Sequence, residues 1–367
     1  MKLSVLAGNI QKKLTLVNHA ISSRTQLPIL GTILLETHGD SLMLSATDLE
    51  IGIQATIPAQ VEIQGATTVP AKLFTELINS LPEEKITLEL VEGSLKVLSK
   101  KTNSVLQTQN RDEFPTLYEE KGIEMFKMKT DLLRNDLGMV VFSASIEATR
   151  PALSGVLLRK NTQGLLFVAT DGYRLSLKSN IHPEEDAQKI EKDMLIPARV
   201  VREAVALKES GDVSIFISEH NNQIIFSQDD IVLVGRLIEA QFPQYEKIIP
   251  TDVSAKITFD REELLKAVKT CAIFARETAN VIKFSLQKDK VVVSAKTPSL
   301  GENTVEVEAT LTGEENEIAF NSRYVLDVLG NVDTEEMTFE MTGPLNPGVF
   351  RISGDTSFLH LIMPIRL

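Results

Sequence analysis

Apolar residues in this chain recur with two periods. At helical spacing stand Ile10, Leu14, Val17 and Ile21, then Leu132, Leu133, Leu137, Val140 and Val141 after a Thr130-Asp131 start signal, then Leu264, Leu265, Val268 and Ala272 after Asp260. Each set predicts an amphipathic helix with one face buried and the other free. A shorter helix is predicted later in each stretch, in PAKLFTELINSL from Pro70, PARVVREAVALK from Pro197 and NSRYVLDVLGNV from Asn321. Proline suits a first turn, where its missing N–H costs nothing, and asparagine suits an N-cap. Most other apolar residues fall in β-branched and leucine-rich runs, such as KITLELVEGSLKVLSKKTNSVLQT and DVSIFISEHNNQIIFSQDDIVLVGRLI, broken by Gly, Asn and Asp. These predict strands and hairpins.

The pattern returns along the chain. LPILGTILLETHGDSLMLSATDLEIGIQATI, Leu27 to Ile57, superposes without a gap on RPALSGVLLRKNTQGLLFVATDGYRLSLKSN, Arg150 to Asn180. Matched positions include Pro28 with Pro151, Leu42 with Leu165, and Ala46-Thr47-Asp48 with Ala169-Thr170-Asp171. A more diverged copy runs from Asn280 to Thr310. The chain is therefore read as three tandem repeats, with domains at 1–122, 123–250 and 251–367. Each is expected to be an α+β unit of two helices and about eight strands, the helices on one side of antiparallel sheets. The tails Phe114-Pro115-Thr116-Leu117-Tyr118 and Phe242-Pro243-Gln244-Tyr245 read as linkers docked on their own domains.

Composition changes this picture in three places. The formal net charge of -12 argues against nucleic acid unless basic residues are concentrated somewhere. The helical windows are in fact net basic, so the remainder of the chain is more acidic than the whole, the right sign for a basic helical face on an acidic body. Each second helix carries a base, Lys72, Arg199 or Arg323, with an acid four residues on, Glu76, Glu203 or Asp327; a solvated i,i+4 pair is the plain alternative. Cys271 is the single cysteine, which excludes a disulfide framework and suits a reducing cytoplasm. No apolar run approaches a membrane span of about 18 residues, and the N-terminus shows no cleavable signal pattern.

Candidate chemistry is thin. Asp48 and Asp171 are the best carboxylates for acid/base or metal work, but they fall in different repeats, and Asp at such a turn commonly bonds backbone N–H groups. The five histidines show no metal-ligand spacing, no phosphate loop or GxSxG elbow is present, and Cys271 sits in the apolar stretch TCAIFA as a buried thiol. No catalytic residue, metal or cofactor is expected. A hydrolase using Asp48 or Asp171, or a monomeric peptide-binding adaptor, are the rival readings.

The motifs LPIL at Leu27, ATDLE at Ala46, GATTVPAK at Gly65, ATDGYRL at Ala169, FPQY at Phe242, FNSRYVLDVL at Phe320 and the terminal MPIRL span the chain in one order. In these it resembles the family of bacterial DNA polymerase III beta subunits, the replicative sliding clamps. The resemblance implies a DNA clamp fold in which two three-domain protomers close head to tail into a ring of six domains. Duplex DNA threads the channel through sequence-independent phosphate contacts, for which Arg24, Lys72, Arg199 and Arg323 are the candidates here. It implies a homodimer contact at paired edge strands, with Leu106, Ile273 and Phe274 as candidates. It also implies a pocket for a short linear motif carried by the replicative polymerase catalytic subunit, the clamp loader, other polymerases and repair proteins. Carried over, its wall comprises Leu153, Thr170, Gly172, Tyr173, Arg174, Leu175, Pro243, Lys247, Ile248, Ile362, Met363, Pro364, Ile365 and Arg366, with Asn321 and Tyr324 beside it. In that reading Arg174 and Arg366 anchor polar ends of the peptide. Tyr173 replaces a histidine common in the family, Lys247 replaces an arginine, and Pro151-Ala152 stands where some members carry two DNA-contacting tyrosines.

Overall fold

The computed structural model describes residues 1–22, 27–147, 149–183, 190–207, 210–299 and 301–366. The first repeat runs β1 (Lys2–Leu6), α1 (Ala7–Val17), β2 (Thr32–His38), β3 (Ser41–Thr47), β4 (Ile51–Pro58), β5 (Gln60–Ile63), β6 (Ala66–Pro70), α2 (Ala71–Ser80), β7 (Lys85–Val91), β8 (Ser94–Leu98) and β9 (Asn103–Gln107). The second runs β10 (Ile123–Lys129), α3 (Thr130–Val141), β11 (Gly155–Asn161), β12 (Gly164–Thr170), β13 (Arg174–Ile181), β14 (Met194–Pro197), α4 (Ala198–Val205), β15 (Asp212–Ser218), β16 (Gln223–Gln228) and β17 (Ile231–Arg236). The third runs β18 (Ala255–Asp260), α5 (Arg261–Ala275), β19 (Val281–Gln287), β20 (Lys290–Thr297), β21 (Gly301–Gly313), β22 (Asn316–Asn321), α6 (Ser322–Asn331), β23 (Glu336–Met341), β24 (Gly348–Ile352) and β25 (Phe358–Ile362). The successions match element for element. The one extra strand, β5, is mirrored in the third repeat by the far end of β21, which pairs with β18 as β5 pairs with β1.

Compactness divides the chain differently from the repeats. One unit comprises Met1–Thr130 and Lys208–Leu237, the other Asp131–Leu207 and Ile238–Leu367. The middle repeat is split because its two sheets join different neighbours.

In the first unit, one sheet runs β5-β1-β7-β8-β9 and the other β10-β15-β16-β17-β4-β3-β2-β6. The second sheet crosses between repeats where β17 lies antiparallel to β4, from Ile231↔Ala55 to Gly235↔Ile51. Helix α1 buries Ile10, Leu14 and Val17 as its spacing predicts, and α2 buries Phe74 and Ile78. Pro70 is the N-cap of α2, and Pro197 that of α4, each also ending a strand, so both helices begin one residue later than expected.

In the second unit a twelve-stranded sheet runs β14-β11-β12-β13-β25-β24-β23-β18-β21-β20-β19-β22. It crosses between repeats where β13 lies antiparallel to β25, from Arg174↔Ile362 to Lys178↔Phe358. Two helices start on side-chain caps: Asp260 accepts from the Glu263 N–H at 2.8 Å, and Asn321 from the Arg323 N–H at 3.0 Å. The core under α5 and α6 holds Phe284, Phe320, Phe339 and Phe350, with Phe320 edge-on to Phe339 at 5.7 Å. Gly348 makes room for it, since a Cβ there would lie 2.5 Å from the Phe339 ring.

Candidate functional site

The Thr-Asp turns are built identically in the two units. In the second, Thr170 Oγ1 donates to the Arg174 carbonyl at 2.6 Å and accepts from the Gly172 N–H at 3.0 Å. Asp171 Oδ1 accepts from the N–H groups of Tyr173 and Arg174 at 2.9 and 3.0 Å. In the first, Thr47 Oγ1 bonds the Ile51 carbonyl and the Leu49 N–H, and Asp48 Oδ1 accepts from the N–H groups of Glu50 and Ile51. Both carboxylates close turns, so the hydrolase reading loses its candidates. The Cys271 thiol is buried and pushed up to about 11 by that burial, which leaves it a packing group.

Above the second turn, Arg174 is a hub rather than a free anchor. Its Nε donates to Asp171 Oδ2 at 3.1 Å, one terminal nitrogen bonds Asp327 on α6, and the other donates to the Phe142 carbonyl at 2.9 Å. The guanidinium stacks over the Tyr324 ring at 4.7 Å and the Phe142 ring at 5.5 Å. Burial raises the Tyr324 hydroxyl pKa, with the Asp171 charge adding to it. The side chain expected to meet a peptide is thus buried, and what it does is fix Tyr324 and the turn. Phe142 and Asp327 were not among the expected site residues. Asp327 carried a signal, the acid repeated in each second helix; Phe142 carried none.

Beside the turn, β25 continues into the C-terminal tail. The Met363 N–H bonds the Tyr173 carbonyl and the Ile365 N–H the Ala319 carbonyl, both at 2.8 Å, bringing Met363, Pro364, Ile365 and Arg366 alongside Tyr173, Asn321 and Tyr324. The linker is docked as expected: Tyr245 is buried, edge-on to Phe242, with Arg159 bridging Asp193 and Glu246 above its ring. Burial pushes the Tyr245 hydroxyl up to about 12. Leu175 and Ile362 are fully buried and Leu153 nearly so, which makes them floor and core rather than open wall. The open surface is Gly172, Tyr173 (63% exposed), Pro243, Lys247, Ile248, Met363 and Arg366.

Descriptions of three family domains match the chain in order: the DNA polymerase III beta subunit N-terminal domain over residues 1–118, the central domain over 127–244 and the C-terminal domain over 246–366. A beta sliding clamp from a Synechocystis species is 30% identical over 389 residues, covering 100% of both chains. This chain belongs to the DNA polymerase III beta subunit family. Like other sliding clamps it is a non-catalytic processivity factor of DNA replication. The crystal structure of the Bacillus subtilis sliding clamp superposes with a TM-score of 0.94 at 27% identity, covering 100% of this chain and 99% of that one. A Bartonella birtlesii sliding clamp bound to griselimycin superposes with a TM-score of 0.93 at 28% identity, both chains covered in full.

The remaining expected residues of this clamp lie on helices and edges. Lys72 and Arg323 are exposed and Arg199 half-buried, each on the second residue of its helix; Arg24 lies outside the described residues. Asp327 on α6 pairs with Arg174 and not with Arg323. Leu106 lies on the edge strand β9, buried opposite Leu95 in its own sheet, and its neighbour Val105 faces out, 55% exposed. On α5, Ile273 is exposed while Phe274 packs half-buried on the core. No helix among the described residues is long and apolar enough to cross a membrane.

Proposed function

We propose that two copies of this chain close into a ring around duplex DNA and hold the replicative polymerase there, working in the cytoplasm. The observation that carries this reading is a joint made twice and left open once. The β4–β17 and β13–β25 pairs join equivalent strands in the same antiparallel register, Ile51↔Gly235 matching Arg174↔Ile362. By the same equivalence the third joint needs β9 and the first half of β21. Among the described residues β9 pairs only with β8, and residues 301–308 of β21 only with β20. One protomer's β9 therefore meets its partner's β21, with Leu106↔Gly301, Val105↔Glu302 and Ser104↔Asn303. Continued, this register sets Lys101 against Glu306, a favourable cross-strand charge pair. Exposed Ile273 on α5 adds apolar surface of the kind such a joint buries. Closing both joints pairs the strand edges that each protomer leaves open at β9 and at the first half of β21.

In this reading the domains are 1–122, 123–250 and 251–367, and Lys72, Arg199 and Arg323 meet DNA phosphates weakly enough to slide. The groove of the second unit takes the short linear motif of the polymerase catalytic subunit, the clamp loader and repair proteins. Its support is the open apolar surface of Tyr173, Ile248 and Met363 over a floor held rigid by Arg174. The test is a chain carrying Val105→Cys and Glu302→Cys. Oxidation should give covalent dimers in high yield, with the buried Cys271 a bystander. A monomer in sedimentation that never cross-links would favour the monomeric adaptor.

A further inference from the structure

The first unit contains a cavity of about 360 Å³ beside its own Thr-Asp turn. It is lined by Leu49 and Glu50, by Leu117 of the linker, and by Gln223, Val234 and Arg236. The strand registers make these the counterparts of the groove in the second unit: Leu49 stands where Gly172 does, Glu50 where Tyr173 does, and Arg236 where Met363 does.

Three features mark this cavity as more than a crease between strands. Leu49 holds φ at +78°, a left-handed conformation that its counterpart Gly172 adopts at +93° without a side chain to strain it. The side chain kept at that cost is 52% exposed at the cavity. Gln223 donates from Nε2 to the Leu117 carbonyl at 2.9 Å, while its buried Oε1 has no partner. Gly52 brings Leu117 into the wall, since a Cβ there would lie 2.7 Å from the Leu117 Cδ2.

We propose that this cavity is a second docking site, taking an extended peptide segment of another protein that carries an aliphatic side chain. Leu49, Leu117 and Val234 receive the side chain. The polar groups around them suit a peptide main chain, which offers donors and acceptors in alternation: the Arg236 guanidinium donates to carbonyls, and the Glu50 carboxylate accepts from N–H groups. Their mixed charge favours neutral main chain over a strongly acidic or basic ligand. The class of ligand rests on the peptide reading of the second unit's groove; the cavity itself does not.

The test is methyl NMR on the full-length protein titrated with the capped tetrapeptide Ac-Ser-Leu-Leu-Ser-NH2 to millimolar concentration. The expected result is saturable shifts at the Leu49, Leu117 and Val234 methyls. Leu49→Gly removes the strain and the apolar contact together, so it should fold at least as well and bind about tenfold more weakly. Absence of shifts at these three residues, or unchanged affinity in Leu49→Gly, overturns the proposal. Methyls of Leu153, Ile248 and Met363 in the same spectra report separately on the other groove, so the two readings fail independently.

Discussion

The β4–β17 and β13–β25 joints are one design executed with different side chains. At the first, Ile53 faces Leu233 and Ile51 opens the strand; at the second, Ser176 faces His360 and Arg174 opens it. The first is an apolar seam, with all four side chains of Ile51, Ile53, Leu233 and Val234 buried. The second buries a polar chain, Ser143 Oγ to Ser176 Oγ at 2.8 Å and Ser176 Oγ to His360 Nδ1 at 2.7 Å, beneath a guanidinium that ties three elements together. Backbone pairing thus sets the joint, while side chains decide what each joint does besides. The apolar seam seats the Leu117–Tyr118 linker against Gly52 and Gln54; the polar one holds Tyr324 and the turn in fixed positions.

The largest effect should come from removing the hub. Arg174→Met leaves Asp171 and Asp327 without their cation and loses two ring contacts, costing about 3 kcal/mol, at the low end for a broken buried pair because Asp327 is partly solvated. Urea unfolding measures it, and motif-peptide affinity should fall as Tyr324 loosens. A loss below about 1 kcal/mol would make the two joints energetically alike after all.

Next comes pH. Burial holds the His360 pKa well below 6.5, with the Arg174 charge adding to it. The unfolded chain therefore binds this proton first, so the stabilisation is complete above about pH 6.5 and is lost on acidification by up to about 1.4 kcal/mol per unit. Denaturant titrations at pH 7.5, 6 and 5 should show it. Recasting the joint in the image of its sibling, Ser176→Ile with His360→Leu, should remove that component of the slope.

Smaller effects are expected at the apolar joint. Gly52→Ala pushes on Leu117 and should cost about 1 kcal/mol while loosening the linker, read as faster proteolysis near residue 117. Leu49→Gly should stabilise by about 1 kcal/mol as its backbone strain is relieved.

What was legible beforehand was local. Ile10, Leu14 and Val17 announced a helix face by spacing, Asn321 and Asp260 announced caps, and Asp48 and Asp171 announced turns, all from interactions within a few residues. Burial against distant strands was not. An arginine opening a strand reads as an exposed base, and only the arrival of Asp327, 153 positions on, makes Arg174 a hub. Which of Leu106 and Val105 faces inward was not legible either, because alternation shows that residues face opposite ways but not which of them faces in. The repeats showed three like domains, yet the division of the middle one between two compact units depends on strand pairings between repeats, which no single stretch encodes.

Encirclement is tested most directly on DNA. The Val105→Cys, Glu302→Cys protein would be loaded on nicked circular duplex by a clamp loader with ATP, oxidised, and passed over a sizing column at high salt before and after the circle is cut. The ring account predicts retention on the intact circle and release once free ends exist. Equal loss from circular and linear DNA, with the cross-link confirmed, would contradict it.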